Sequence, residues 1–275
     1  MRILWCLALK ELRDGLRNRW IAAAIIVLGT LALALTLLGS APTGSIRASA
    51  LDISVISLAS LSVYLIPLIA LMLSFDALVG EFERGTMMLL LTYPVSRWQV
   101  IIGKFIGHTV ILFIAILAGY GGSMLIVTLV TGGSLDGWQA YVMMMFSSLI
   151  LGAIFIALGY LVSVLVKERA TAAGAAIGLW LIFVVLYDLL LFGALLVDDK
   201  QVIGQQLFSL LMIISPTDAY RILNLSLFEG IGQAAGIAGV ASKAGISAVL
   251  LFSILLLWVL VPLALTLTKF QRREL

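Results

Sequence analysis

Cysteine and histidine are nearly absent: Cys6 and His108 are single occurrences in 275 residues. One cysteine excludes an internal disulfide and a cysteine-based metal cage, and one histidine excludes a multi-histidine metal site within one chain. Charge is almost as scarce, at 11% of residues, and a formal net charge of +3 is too small to point to nucleic acid. The P-loop is missing too. It requires G-x-x-x-x-G-K followed by Ser or Thr, so that backbone amides and the lysine hold phosphates. The one Gly-Lys pair, Gly103-Lys104, precedes Phe105 and has no glycine at the required position before it. Any nucleotide energy must come from another subunit.

Apolar residues are abundant: 63% of the chain, with a mean hydropathy of +1.19. A soluble domain cannot hide so much apolar surface, so the chain reads as an all-α polytopic membrane protein, one transmembrane domain over 1–275. Residues 1–19 alternate apolar and charged positions at helical spacing. Ile3, Leu4, Leu7, Leu12 and Leu16 fall broadly on one side, with Lys10, Glu11, Arg13, Asp14 and Arg17 on the other. This predicts a basic amphipathic helix lying in the membrane interface, and the charged start without a small-residue cleavage site reads as no removable signal peptide.

Six apolar segments follow, each long enough to span. They run from Trp20 to about Leu38, Ile53 to Val79, Trp98 to Val130, Trp138 to Val166, Ala170 to about Val197 and Ile246 to Thr268. Those longer than 25 residues need tilt, a kink or an extra turn, and Pro67 is the obvious kink. With a cytoplasmic N-terminus, the inside segments carry 13 of the 17 Lys and Arg residues; Arg47, Lys200, Arg221 and Lys243 are the four outside. That asymmetry predicts that both termini are cytoplasmic. The stretch 198–245 then lies outside. It holds too little charge for a hydrophilic loop and reads as helices lying on or dipping into the outer leaflet, a platform for an extracytoplasmic partner.

Ion-coupled carriers keep ionisable groups within their spans. Here the candidates are Asp76, His108 and Asp188, each near an interface, and all three read as structural. Met143, Met144 and Met145, with Met124 and Met212 at similar depth, invite a copper(I) reading, because thioethers are soft ligands. Three consecutive helical residues point about 100° apart, however, and core packing accounts for them better.

The most specific stretch is Glu81–Lys104, EFERGTMMLLLTYPVSRWQVIIGK. Its apolar centre is too short to span and should lie on the membrane surface. Gly85 permits a sharp turn and Thr86 begins a short helix. After Pro94, Ser96 and Gln99 fit a capping box that fixes the start of the third span. Two spans are thus joined by a stiff element, as force transmission requires.

Glu81, Glu83, Arg84, Gly85, Thr86, Leu89, Leu90, Pro94, Ser96, Arg97, Gly103 and Lys104 stand in the order found between the second and third spans of ABC-2 permeases, and the chain resembles that family over its whole length. The resemblance implies a non-catalytic permease subunit that works as a homodimer. Residues 81–97 would be a coupling helix seated in a cytoplasmic ABC ATPase, with ATP and magnesium held by that partner and no cofactor in this chain. WCLALKELRDGLRNRW and the outer SPTDAYRI further resemble the branch of the family serving copper-site maturation of nitrous oxide reductase. That branch implies a periplasmic partner, docked around Ser215, Pro216, Asp218 and Arg221, and a copper chaperone. One Cys, one His and scattered Met give no ligand relay across the membrane, so metal handling would fall to the periplasmic partners. An ATP-independent ion-coupled carrier and a simple membrane anchor for a periplasmic protein stay open as alternatives.

Overall fold

The computed structural model describes residues 2–17, 19–39, 50–130, 137–197, 205–226 and 247–272. Among these residues there is no strand, and six helical segments are long and apolar enough to cross a membrane. Residues 40–49, 131–136, 198–204 and 227–246, between the helices, fall outside the described residues.

A first helix, α1 (Arg2–Leu16), leads into the first span, α2 (Arg19–Gly39). The second span, α3 (Ala50–Ser74), continues through Pro67 and stops earlier than the apolar run does. A turn over 75–78 intervenes before α4 (Val79–Glu83), because Ser163 Oγ, reaching across from the fourth span, accepts hydrogen bonds from the Leu78 and Val79 amides at 3.0 Å each. After α5 (Thr86–Thr92), the third span comprises α6 (Arg97–Ile116), a π turn over Leu117–Gly121, and α7 (Gly122–Val130). The fourth span, α8 (Trp138–Leu165), is the central one: it packs on α3, α6 and the last span, and its stretch 151–160 is continuously buried. The fifth span divides in the same way as the third, into α9 (Arg169–Leu181), a π turn over Ile182–Leu186, and α10 (Tyr187–Val197). Then come α11 (Gln205–Ile214), α12 (Pro216–Ser226) and the sixth span, α13 (Ala248–Arg272).

The two π turns supply the irregularity that the long third and fifth segments require. A π turn leaves a carbonyl without its helical partner, and here a neighbouring hydroxyl takes up a carbonyl in each. Tyr141 Oη donates to Tyr120 O at 2.8 Å, and Thr217 Oγ1 donates to Phe183 O at 2.9 Å. In lipid no water is present to do this, so both bonds tie a span to its neighbour.

Helix α12 turns inward. Ser215, Thr217, Asp218, Ala219, Tyr220, Ile222 and Leu223 are fully buried against α3, α8 and α13. Tyr220 Oη lies 2.8 Å from Ser148 Oγ, which donates to Ser62 Oγ at 3.3 Å, and Ser62 in turn pairs with Tyr120 Oη at 2.7 Å. Where 198–245 was expected to lie on or dip into the outer leaflet, α12 packs against the other helices of the bundle; 198–204 and 227–245 lie outside the described residues.

Candidate functional site

Residues 79–97 form a compact linker at the end of the bundle where α1 starts and α13 finishes. Gly85, the N-cap of α5, has φ 69°, a left-handed conformation that a side chain would strain. Thr86 Oγ1 donates to Glu81 O at 3.2 Å and Arg84 Nε to Gly80 O at 2.9 Å, which closes the turn on itself. At the other end, Ser96 holds the extended N-cap of α6 and Gln99 Oε1 accepts from the Ser96 amide at 3.0 Å, the reciprocal arm of a capping box. Arg97 Nη1 donates to the Phe270 and Gln271 carbonyls at 3.0 and 2.8 Å, and Phe82 packs edge-on against the Phe270 ring. A cation is thereby placed on the C-terminal carbonyls of α13, where the helix dipole favours it.

The outward face of this linker is apolar. Leu89 is 66% exposed, Tyr93 68% and Met88 50%, while Met87 anchors the inner face at 0%. Glu83, Arg84, Gly85, Thr86 and Pro94 are exposed, and Leu90, Ser96 and Arg97 are half-buried.

Glu81 is turned inward. Lys104, 2% exposed, donates from Nζ to Glu81 Oε1 at 2.8 Å and to Glu11 Oε1 at 2.7 Å, and Lys10 approaches the same two oxygens at 3.3 and 3.4 Å. Glu11 Oε2 faces His108 Nε2 at 3.4 Å, and His108 Nδ1 pairs with Tyr160 Oη at 2.7 Å in a stacked ring contact. Burial alone would push the Glu11 carboxyl up, but the hydrogen bond from His108 and the Lys104 charge outweigh it and hold the group far below the usual carboxylate range. The charge of Lys10 is favoured in turn: burial works against it, and the Glu11 and Glu81 carboxylates overcome that and raise its pKa.

Close approach makes this hub possible. A Cβ at Gly103 would sit 2.8 Å from Leu7 Cβ, and one at Gly107 would sit 2.7 Å from Glu11 Cβ, so α1 lies directly on α6 across a Gly-x-x-x-Gly track. Helix α1 therefore buries Leu7, Ala8, Glu11 and Gly15, a face that shares Leu7 with the expected apolar side but is rotated from it. Glu11 moves from the polar side to the buried side, because Lys104 offers it a partner there, and Leu16 is left 51% exposed. Gly103-Lys104 followed by Gly107 was the available signal: a lysine flanked by small residues has both the room and the need for a buried carboxylate.

The linker also grips the fifth span. Glu83 Oε1 accepts from the Arg169 amide at 2.6 Å, at the start of α9, and Arg169 Nη2 pairs with Asp76 Oδ2 at 2.7 Å. Asp188 pairs with Arg221 at 2.6 Å, and Arg221 also reaches Asp218 at 2.9 Å. Asp76, His108 and Asp188, the three ionisable groups weighed for ion coupling, all have partners within the chain. Ser215, Pro216 and Asp218 are buried and Arg221 is half-buried, so these residues form the seat of α12 and present little surface. Met144 and Met212 are core residues, and Met124 and Met145 line an apolar groove. Among the described residues no group of three His, Cys, Asp or Glu converges as metal ligands.

Six spans, an inward helix near the far end and a braced linker between the second and third spans define a transporter permease. A family model described as "ABC-2 family transporter protein" matches residues 5–275, and the chain belongs to that family. It is 43% identical over 275 residues to a Stutzerimonas stutzeri protein named "Probable ABC transporter permease protein NosY", with 99% of each chain covered. A Pseudomonas aeruginosa protein of the same name is also 43% identical, over 277 residues and 99% of each chain. The chain is thus a multi-pass, non-catalytic permease subunit of the NosY kind.

Proposed function

We propose that this permease acts in copper-site maturation of nitrous oxide reductase, as the NosY name of its relatives suggests, and that it converts ATP hydrolysis in a partner into movement of the bundle. In this reading two copies form a homodimer in the inner membrane with both termini cytoplasmic. Each copy seats residues 81–97 in a NosF-like ABC ATPase, which binds ATP and magnesium. Outside, the 198–245 platform meets a NosD-like periplasmic protein and a copper chaperone, with Ser215, Pro216, Asp218 and Arg221 holding its base.

One observation carries the reading: the linker exposes Met88, Leu89 and Tyr93 on one face, while Glu81, Glu83 and Arg97 fasten it to α1, α6, α9 and α13. An apolar patch on a rigid mount suits a partner that pushes. Met88→Asp/Leu89→Asp, co-expressed with the ATPase, should abolish co-purification of the two while the melting temperature of the permease stays within about 2 °C, since both side chains are exposed. Unchanged ATPase capture by this variant refutes the proposed seat.

A further inference from the structure

A polar cavity of about 350 Å³ opens beside α1 and α4, and a second of about 370 Å³ adjoins it along α2 and α3. Ile21, Leu73, Asp76 and Arg169 line both cavities. Charge within this cleft is uneven. At the junction Arg169 pairs with Asp76 at 2.7 Å, and a Cβ built on Gly80 would lie 3.2 Å from Arg84 Nη2 and 3.3 Å from Asp76 Oδ2. Two guanidiniums therefore flank one carboxylate there, an excess of one positive charge. Glu83 does not line the cleft; its carboxylate is directed to the α9 amide.

At the α1 end, Lys10 and Lys104 face Glu11, Asp14 and Glu81. Three carboxylates there face two ammonium groups. Asp14 is the open member: its side chain is 63% exposed, and Lys10 Nζ, at 3.8 Å, is beyond hydrogen-bond distance. The second cavity changes character toward the membrane, where Trp20, Met72, Leu73 and Phe75 form its wall. Below it the surface stays apolar past Ile25 and Ile69, where α2, α3 and α6 close on one another and leave only about 10 Å³ between them.

A positive site, a negative site and an apolar wall, adjoining one another at one end of the bundle, match one kind of molecule. We propose that this cleft binds a zwitterionic aminophospholipid, with its phosphate between Arg84 and Arg169, its primary ammonium on Asp14, and an acyl chain along Trp20 and Leu73. Guanidinium suits phosphate because its planar donors meet two oxygens at once. A primary ammonium donates hydrogen bonds to the Asp14 carboxylate, which a choline headgroup cannot do, and a glycerol headgroup brings no cation at all. Trp20 stands where an amphipathic ring prefers the headgroup level. The site goes beyond the permease reading and requires no ATPase.

Native mass spectrometry of the purified permease tests the proposal. Phosphatidylethanolamine, phosphatidylcholine and phosphatidylglycerol with identical acyl chains are added separately, and glycerophosphoethanolamine, which has no chains, serves as competitor. The ethanolamine lipid should be retained at least threefold more than either of the others. Asp14→Asn, at an exposed position, should bring it down to the choline lipid's level without changing the melting temperature. Arg169→Gln should lower retention of all three. A preference below threefold, better retention of the glycerol lipid, or a preference that survives Asp14→Asn overturns the proposal. Equal displacement by the chainless headgroup also overturns it, by showing a free-phosphoamine site in place of a lipid site.

Discussion

Replacing Lys104 with Met retains the aliphatic stem and removes an ammonium that two carboxylates share. The side chain is 2% exposed and each carboxylate side chain 10%, with contacts of 2.7 and 2.8 Å. An exposed ion pair contributes about 0–1 kcal/mol, but deleting one partner of a buried pair costs about 3–5 kcal/mol, because the remaining charge is stranded. Lys10, half exposed and already within 3.3–3.4 Å of both carboxylates, offers partial compensation and moves the expectation to the low end, about 3 kcal/mol. The loss should appear locally, since Glu11 belongs to α1 and α1 rests on α6 across Gly103 and Gly107. At about 1.4 kcal/mol per factor of ten, the undocked fraction of α1 should rise about 100-fold. Limited trypsin cleavage after Arg13 and Arg17 reads that fraction when opening is fast relative to cleavage. The triple variant Glu11→Gln/Glu81→Gln/Lys104→Met should recover most of the protection, because the charge it leaves without these partners, on Lys10, is half exposed to solvent. A change of tenfold or less in Lys104→Met refutes the hub as the lock on α1.

The remaining tests are simpler. Ser163→Ala leaves the Leu78 and Val79 amides without their acceptor, and at about 1–3 kcal/mol for an unsatisfied buried group it should lower the melting temperature and speed amide exchange at 78–79. Arg97→Ala removes two charge-assisted bonds to the end of α13; a cost of about 1–2 kcal/mol, read as faster exchange at the C-terminus of that helix, is expected. The Glu11 pKa is depressed on folding, so its stabilisation is complete above the unfolded carboxylate value near 4.5 and is lost as pH falls through the lower folded value. Amide protection factors in α1, from hydrogen-exchange pulses at pH 7 and pH 5 each corrected for the intrinsic exchange rate, should accordingly be equal. A loss of amide protection in α1 at pH 5 contradicts the assignment.

How much of this was legible in the sequence follows from what each signal depends on. Spans are written in local hydropathy, and five of the six fall within a few residues of the apolar runs. The second is the exception, because its helix breaks at 75–78 through a hydroxyl from Ser163, 85 residues beyond Leu78. Gly85 and the Ser96–Gln99 cap are local devices, and they were readable as such. The face of α1 was misjudged because amphipathicity assigns charged residues to water by default. Glu11 defies that only because Lys104 waits beneath it, a tertiary fact. The inward packing of α12 was equally hidden: SPTDAYRILNLS looks polar, yet Thr217 finds a partner in the fifth span and Tyr220 and Asn224 find theirs in α8, as with Asn224 Oδ1, which accepts from Ser147 Oγ at 3.1 Å. Polar residues in such a sequence mark either an outer surface or a satisfied buried network, and composition alone does not separate the two.

The bonds around residues 79–97 also determine which parts can move together. A push on Leu89 and Tyr93 enters a seven-residue helix that cannot slide alone, because Glu81 is held to α1 and α6, Glu83 to α9, and Arg97 to α13. Three of the six spans therefore receive the displacement at one end. The two that carry π turns, the third and fifth, are held at those turns by hydroxyls from the fourth span and from α12. Movement of α6 or α9 relative to α8 loads the Tyr141–Tyr120 and Thr217–Phe183 bonds first, since each fastens a carbonyl that helical geometry alone leaves available. In the coupling reading, α12 is thus the first element at the far end to feel the push, through Thr217 on the fifth span and through the Ser62–Ser148–Tyr220 chain from the second and fourth.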